Sequence, residues 1–93
     1  RLVSSALGSE AVRLAATHPH HKELYVAAPV GDRVIEGYVD LLVETPDGLV
    51  VVDYKTDREL AGAEEQYRQQ VAAYAAAVAA TTGLPVSGVL VRT

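Results

Sequence analysis

The strongest constraint on the fold of this chain is a change of hydrophobic period part-way along it. From Glu23 to Thr56 apolar residues come in strand-like runs separated by two turn signals; after Glu64 they fall at helical spacing. Glu23 to Val30 reads as a strand, and Gly31-Asp32 as a two-residue turn with Gly in the first central position. Arg33 to Glu44 reads as a second strand, with Ile35, Gly37, Val39, Leu41 and Val43 on one face. Thr45-Pro46-Asp47-Gly48 makes the next turn, with Pro pre-setting the bend. Leu49 to Thr56 follows, and its unbroken apolar run Leu49 to Val52 suits a central strand covered on both faces.

Tyr67, Val71, Tyr74 and Val78 then form one helical stripe, with Glu64 and Glu65 favourable in the first turn. Thr82-Gly83 ends that helix and Pro85 prevents its resumption, leaving Val86 to Arg92 as a fourth strand. A helical crossover makes the fourth strand parallel to the third. Upstream, Leu2 to Ala16 reads as a helix with a weak point at Gly8. Ser9 is a candidate cap for its second half, and Val12, Ala15 and Ala16 form its apolar stripe. Thr17-His18-Pro19 closes it, because the residue before a proline avoids the helical region. The expected order is α-β-β-β-α-β, an α+β sandwich with a mixed four-stranded sheet.

Composition narrows the classes of function. The 93 residues suit one small domain or a piece of one, and 49% apolar content is enough for a core built of Ala, Val and Leu. With no Cys there is no disulfide framework and no thiolate zinc site, which fits a reducing, cytoplasmic setting. No apolar run approaches the roughly 20 residues of a spanning helix, so no membrane partner is expected. The chain opens on Arg1, which suggests a fragment of something larger. Its net charge of −4 argues against an autonomous DNA binder, since such affinity comes largely from phosphate neutralisation. The tension eases if other domains hold the nucleic acid.

Turn length carries a further inference. If Gly31-Asp32 is the whole first loop, Val30 pairs with Arg33, and counting outward sets Glu23 opposite Asp40. If the second loop is even-numbered, Glu44 pairs with Leu49 and Asp40 falls opposite Asp53. Directly opposed residues have Cβ atoms about 5 Å apart, so three carboxylates would lie in one row. Such a row needs a cation, and hard oxygen donors suit a divalent ion. Lys55 shares the face of Asp53 by strand periodicity. A three-residue loop with Gly48 as a bulge residue would instead send the two aspartates to opposite faces. The even loop is preferred because it gathers the charges, which is a functional ground. Solvated surface charge is the competing explanation, but Asp40 precedes Leu41-Leu42-Val43 and Asp53 follows Val50-Val51-Val52. Charges abutting buried runs are costly unless used.

Three segments make a recognisable set: Gly37-Tyr38-Val39-Asp40-Leu41, Val52-Asp53-Tyr54-Lys55-Thr56-Asp57, and Gln70 with Tyr74 in the helix that follows Tyr67. Together they resemble the motifs of RecB-type nucleases in the PD-(D/E)XK superfamily, over about Glu23 to Val91. The likeness is to the C-terminal nuclease domains of AddA-type and UvrD-like helicase-nucleases. It implies a restriction-endonuclease-like core, and a Mg²⁺- or Mn²⁺-dependent deoxyribonuclease, an exonuclease, working in DNA recombination and repair. It further implies DNA as substrate, an ATP-binding helicase motor in cis and a second helicase-nuclease subunit.

By the same resemblance Asp40 and Asp53 are metal ligands, the Tyr54 carbonyl completes their coordination, and Lys55 is the catalytic lysine. Gln70 and Tyr74 support the site or contact the DNA backbone, and Glu23 matches a less specific acidic position. Solvated charge is the default for Arg58 and Arg68. The family's metal-binding His has no counterpart here: His18, His20 and His21 read as solvated residues of an approach loop, and the missing His is expected upstream of Arg1. Two rivals stand beside this reading. One is a catalytically inactive domain kept as a scaffold or DNA-channel wall of a helicase complex. The other is an unrelated small α+β interaction module.

Overall fold

The computed structural model describes the backbone of residues 3–93 and the side chains from Arg13 onward. Its elements run β1 (Val3–Leu7), α1 (Gly8–Thr17), β2 (His20–Val30), β3 (Arg33–Thr45), β4 (Gly48–Lys55), α2 (Asp57–Leu60), α3 (Glu64–Thr82) and β5 (Val86–Arg92). The strands form one mixed sheet in the order β1-β5-β4-β3-β2. β4 and β5 are parallel across the α3 crossover, while β2, β3 and β4 are an antiparallel meander. No helix among the described residues is long and apolar enough to cross a membrane.

The four expected strands are present, and a fifth joins them. Val3–Leu7 pairs in parallel with β5, where the sequence pattern suggests helix. Without it β5 would be an open edge of the sheet, and pairing overrides a weak local preference in a segment containing Ser4-Ser5. The helix therefore begins at Gly8. Leu2 and the side chains of Ser9 and Val12 lie outside the described residues. β2 also starts earlier than expected, so His20 and His21 open a strand instead of lying in a loop.

Both hairpins take the even count. Val30 pairs with Arg33, and Thr45 with Gly48, leaving Pro46-Asp47 as a two-residue loop. The Thr45 hydroxyl donates to the Gly48 carbonyl at 2.9 Å and secures that turn. No bulge shifts the register, and Glu44 lies opposite Leu49. α3 closes at Gly83, whose N–H reaches back to the Ala79 carbonyl at 2.8 Å.

The sheet has two apolar faces. α3 lays Val71, Ala77 and Val78 against Val26, Val39, Leu42, Val51 and Leu90. On the opposite side Leu14 and Ala15 of α1 pack near Leu41, Val43, Val52 and Val91. The expected single face from Ile35 to Val43 is therefore divided: Ile35 and Val39 face α3, but Leu41 and Val43 face α1. The alternation reverses at Asp40. β2 reverses alongside it, for Leu24, Val26 and Ala28 pack on the α3 side while His20 and Lys22 line a groove with Ala15 and Ala16. Between them Glu23 carries φ 51, and the rung it would form with Asp40 is absent from the ladder.

Gly37 and Tyr74 interlock just before that reversal. The Tyr74 side chain crosses β3 so closely that a Cβ on Gly37 would stand 2.1 Å from its hydroxyl oxygen, and Gly37 has φ 151. The hydroxyl donates to the Glu36 carbonyl at 3.4 Å. Ala at position 37 would meet both a clash and a backbone that L-residues rarely adopt. Gly37→Ala is therefore expected to lower stability by about 2 kcal/mol, or roughly 10 °C in melting temperature for a domain of this size. Tyr74→Leu in the same chain should recover part of the loss. A Gly37→Ala protein that melts with wild type would show that this contact does not constrain the strand.

Candidate active site

Asp40, Asp53 and Lys55 come together where β3 and β4 part. Their ladder ends at Leu41 opposite Val52, so the next rung brings Asp40 to Asp53 without backbone pairing. The strands stay joined there by a side chain instead: the Tyr54 N–H donates to Asp40 Oδ2 at 2.8 Å. Asp53 and Lys55, two residues apart on β4, form an ion pair of 2.9 Å with side-chain exposures of 15% and 16%. At that exposure water screens the pair little, in contrast to the half-exposed pairs of Arg92 with Asp57 and Glu64.

The environment sets the protonation of both groups. Burial pushes the Asp53 carboxyl above its usual value; Lys55 pulls it down, and the adjoining Asp40 carboxyl pushes it up again. Burial draws the Lys55 ammonium down, but pairing with Asp53 and the negative charges of Asp40 and Glu59 outweigh it, and its pKa is raised. Asp53 Oδ2 is buried, and Lys55 Nζ at 2.9 Å is its counter-charge. Lys55 Nζ also donates to the Tyr54 carbonyl at 3.4 Å and lies 5.0 Å from the centroid of the Tyr67 ring.

Neighbouring elements hold this end of β4 in place. Thr56, directly after Lys55, forms a reciprocal capping box with Glu59 that starts α2 at Asp57. The Thr93 N–H donates to the Lys55 carbonyl at 2.9 Å. Arg92, beside Lys55 in the β4–β5 register, ties the beginnings of α2 and α3 through Asp57 and Glu64, each at 3.2 Å. Thr56-x-x-Glu59 is a capping signature readable in the sequence, and it marks the short helix that the hydrophobic pattern leaves out. Tyr67 reads in sequence only as part of a stripe; nothing local in its pattern marks its contact with the lysine.

The expected row of three acids is brought together only in part. Asp40, Asp53 and Lys55 converge. Glu23 faces Asp40 in register but is exposed, and its positive φ breaks the alternation that would have aligned it. Among the described residues no group of three His, Cys, Asp or Glu side chains gathers to hold a metal ion. Gln70 is exposed on α3, one turn beyond Tyr67, and Tyr74 is half-buried on Gly37. His21 pairs with Glu44 at 2.8 Å on the surface, and His18 Nδ1 contacts the Leu14 carbonyl at 3.0 Å. Arg58 is exposed on α2. A groove of about 390 Å³, lined by Ala15, Ala16, His20, Lys22, Asp40, Leu41 and Tyr54, opens on the α1 side of Asp40.

The sequence profile of the PD-(D/E)XK nuclease superfamily matches residues 1–93, the whole chain. The chain belongs to that superfamily. It is also similar to segments of bacterial proteins named as the A component of an ATP-dependent helicase/nuclease. With that of Desulforudis audaxviator (strain MP104C) it is 49% identical over 51 residues, 50% of this chain and 4% of the relative. With that of Bacillus licheniformis it is 36% identical over 80 residues, 72% of this chain and 6% of the relative. With that of Acetivibrio thermocellus it is 43% identical over 54 residues, 54% of this chain and 4% of the relative. The chain thus spans only a small part of the curated relatives it matches. No solved structure matches it significantly. The RecB-type resemblance of the three motifs is borne out.

The raised pKa of Asp53 gives this cluster a signature in stability. A carboxyl whose folded pKa is raised holds its proton more tightly in the folded state than in the unfolded one. That stabilisation is complete below the unfolded pKa and is lost as pH rises through the folded value. At neutral pH without divalent ions, the Asp53 carboxylate is therefore a net burden, and Asp53→Asn should melt a few degrees above wild type. The gap should close as the solution is acidified into the carboxylate range. Thermal melts of both proteins across pH 3 to pH 8 test this, and a variant that melts lower throughout would contradict it.

Proposed function

We propose that this domain hydrolyses DNA phosphodiester bonds with a divalent ion, as the exonuclease part of an ATP-dependent helicase-nuclease in recombination and repair. On this reading the 93 residues are one nuclease domain, or a piece of one, from the C-terminal region of a larger cytoplasmic protein. A helicase motor would lie in cis, and the partner would be a second helicase-nuclease subunit. The observation that carries the reading is the water-shielded cluster of Asp40, Asp53 and Lys55, at the strand separation of a PD-(D/E)XK domain.

The donor set fits Mg²⁺ or Mn²⁺. Two adjoining carboxylates with the single Lys55 leave one negative charge uncompensated. Asp40, Asp53 and the Tyr54 carbonyl supply hard oxygens of the kind such ions prefer. When bound there, the ion would neutralise charge on the scissile phosphate and lower the pKa of a coordinated water. The protein's own groups do the positioning. The Tyr54 N–H fixes one Asp40 oxygen and leaves the other available. Lys55 brings a positive charge beside the carboxylates, suited to stabilising a phosphate as negative charge builds on its oxygens. Tyr74 shapes β3 through Gly37, a supporting role. Gln70, exposed on α3, would contact the DNA backbone on this reading.

Asp40→Ala, Asp53→Ala and Lys55→Ala should each reduce degradation of a labelled linear duplex with ATP and Mg²⁺ by about 1,000-fold or more. Strand separation by the same intact protein should continue in all three. Millimolar Mn²⁺ should raise the melting temperature of wild type and of Lys55→Ala, but not of the two aspartate variants. Wild-type protein that separates strands without ever cutting them would replace this reading with that of a scaffold domain. Undiminished cutting by Lys55→Ala would remove the lysine from the mechanism.

A further inference from the structure

The ammonium of Lys55 touches three groups. Asp53 Oδ2 lies at 2.9 Å, the Tyr54 carbonyl oxygen at 3.4 Å, and the Tyr67 ring centroid at 5.0 Å. The first two belong to the oxygen set proposed above for a divalent ion. Lys55 thus brings positive charge to oxygens that a divalent ion would also take. On one and the same oxygen the two cations exclude one another. An ammonium and a divalent ion on the same oxygen would stand within a few ångströms, a strong repulsion in a poorly hydrated site. An ion that takes Asp53 Oδ2 and the Tyr54 carbonyl displaces Nζ from both.

Something must then keep Lys55 near the reacting phosphate. A lysine side chain has a flexible four-carbon stem, and freeing it recovers substantial rotamer entropy. Glu59 contributes negative charge nearby, but its Oε1 is committed to the Thr56 N–H at 3.0 Å and the Thr56 hydroxyl at 3.1 Å. Tyr67 is different. It is half-buried on α3, packed against the core, and presents the face of its ring to Nζ. An aromatic face attracts an ammonium through its quadrupole and offers no oxygen for a divalent ion to capture from that face.

We infer that Tyr67 is a positioning residue that retains the Lys55 ammonium in the site when Asp53 and the Tyr54 carbonyl turn to a divalent ion. Lys55 then passes from a carboxylate partner to an aromatic one without leaving the cluster. The inference rests on the proposed divalent-ion site, and the experiment separates the failure of one from the failure of the other.

The first measurement follows side-chain NMR signals of Asp40, Asp53 and Lys55 while the chain is titrated with Mg²⁺. In wild type and in Tyr67→Phe, the Lys55 methylene protons should remain displaced by the ring current through saturation. In Tyr67→Leu they should move to free-lysine positions once Mg²⁺ binds. The second measurement is steady-state cleavage by the intact protein. Tyr67→Leu should lose about tenfold in kcat, equivalent to ~1.4 kcal/mol, with KM for DNA and Mg²⁺ affinity unchanged, and Tyr67→Phe should restore the rate. Replacement of Tyr67 by pentafluorophenylalanine keeps the ring's shape but reverses its quadrupole, and should behave as Leu does; it carries the test if Tyr67→Leu does not fold. Mg²⁺-induced release of Lys55 in wild type, or full kcat in the fluorinated protein, overturns the inference alone. Asp40 and Asp53 signals indifferent to Mg²⁺ would bring down the ion site and this inference with it.

Discussion

Asp40 and Asp53 are held side by side in partial burial, an arrangement that raises the energy of the ionised pair and that the surrounding structure must over-determine. Pro46-Asp47 fixes the loop length, and the loop length fixes the register that makes the two residues neighbours. The ladder stops at Leu41 and Val52, so the Tyr54 N–H is left for Asp40 instead of a backbone carbonyl. Lys55 offsets part of the charge, and the Arg92 and Thr93 contacts hold the end of β4 on which both Asp53 and Lys55 ride. Each feature can be traced to the need to place two acids where folding alone would not put them.

The reversal of facing at Asp40 belongs to the same arrangement. Up to Val39 the third strand gives its odd-numbered residues to α3; from Leu41 it gives them to α1. A strand that changes faces presents the residue at the change to neither core, and Asp40 is therefore free to serve the cluster while its neighbours Val39 and Leu41 are buried. Gly37 and Tyr74 steady the approach to this step, since the missing Cβ lets α3 press directly on the β3 backbone. The glycine of the first motif and the tyrosine of the helix motif are two halves of one contact. That gives a packing reason for their appearance together, independent of any contact with DNA.

The elements readable in the sequence are those governed by local rules. The even hairpin loops followed from Gly31-Asp32 and Pro46-Asp47, the parallel fourth strand from its helical crossover, and the end of α3 from Gly83 and Pro85. What was not readable depends on distant partners. Val3–Leu7 is a strand because β5 has an edge to fill. Leu41 and Val43 face away from Val39 because of paired distortions in two strands, and a period-2 reading assumes there are none. The same distortion, with φ 51 at Glu23, took the third acid out of the row. Asp40, Asp53 and Lys55 were found together because their relation depends on turn length and strand period. Tyr67 was missed because its role is set by the height at which α3 crosses β4.

The acidic balance of the chain acquires a physical meaning once these contacts are placed. Of the eight Lys and Arg residues, Lys55 and Arg92 are already engaged with carboxylates. With 12 Asp and Glu against 8 Lys and Arg the chain has no cationic surplus to neutralise a row of phosphates, and affinity for nucleic acid built that way is strongly charge-dependent. Under the proposed function, a site that brings a phosphate against two carboxylates gains from not holding the polymer tightly by itself. The positive charge it would need is then local, from the proposed divalent ion and Lys55. On the proposed reading, grip and cleavage are divided between parts of a larger protein, and the small share of the relatives' length that this chain matches is in keeping with that division. The domain can then remain acidic overall and keep its shielded lysine for the bond that breaks.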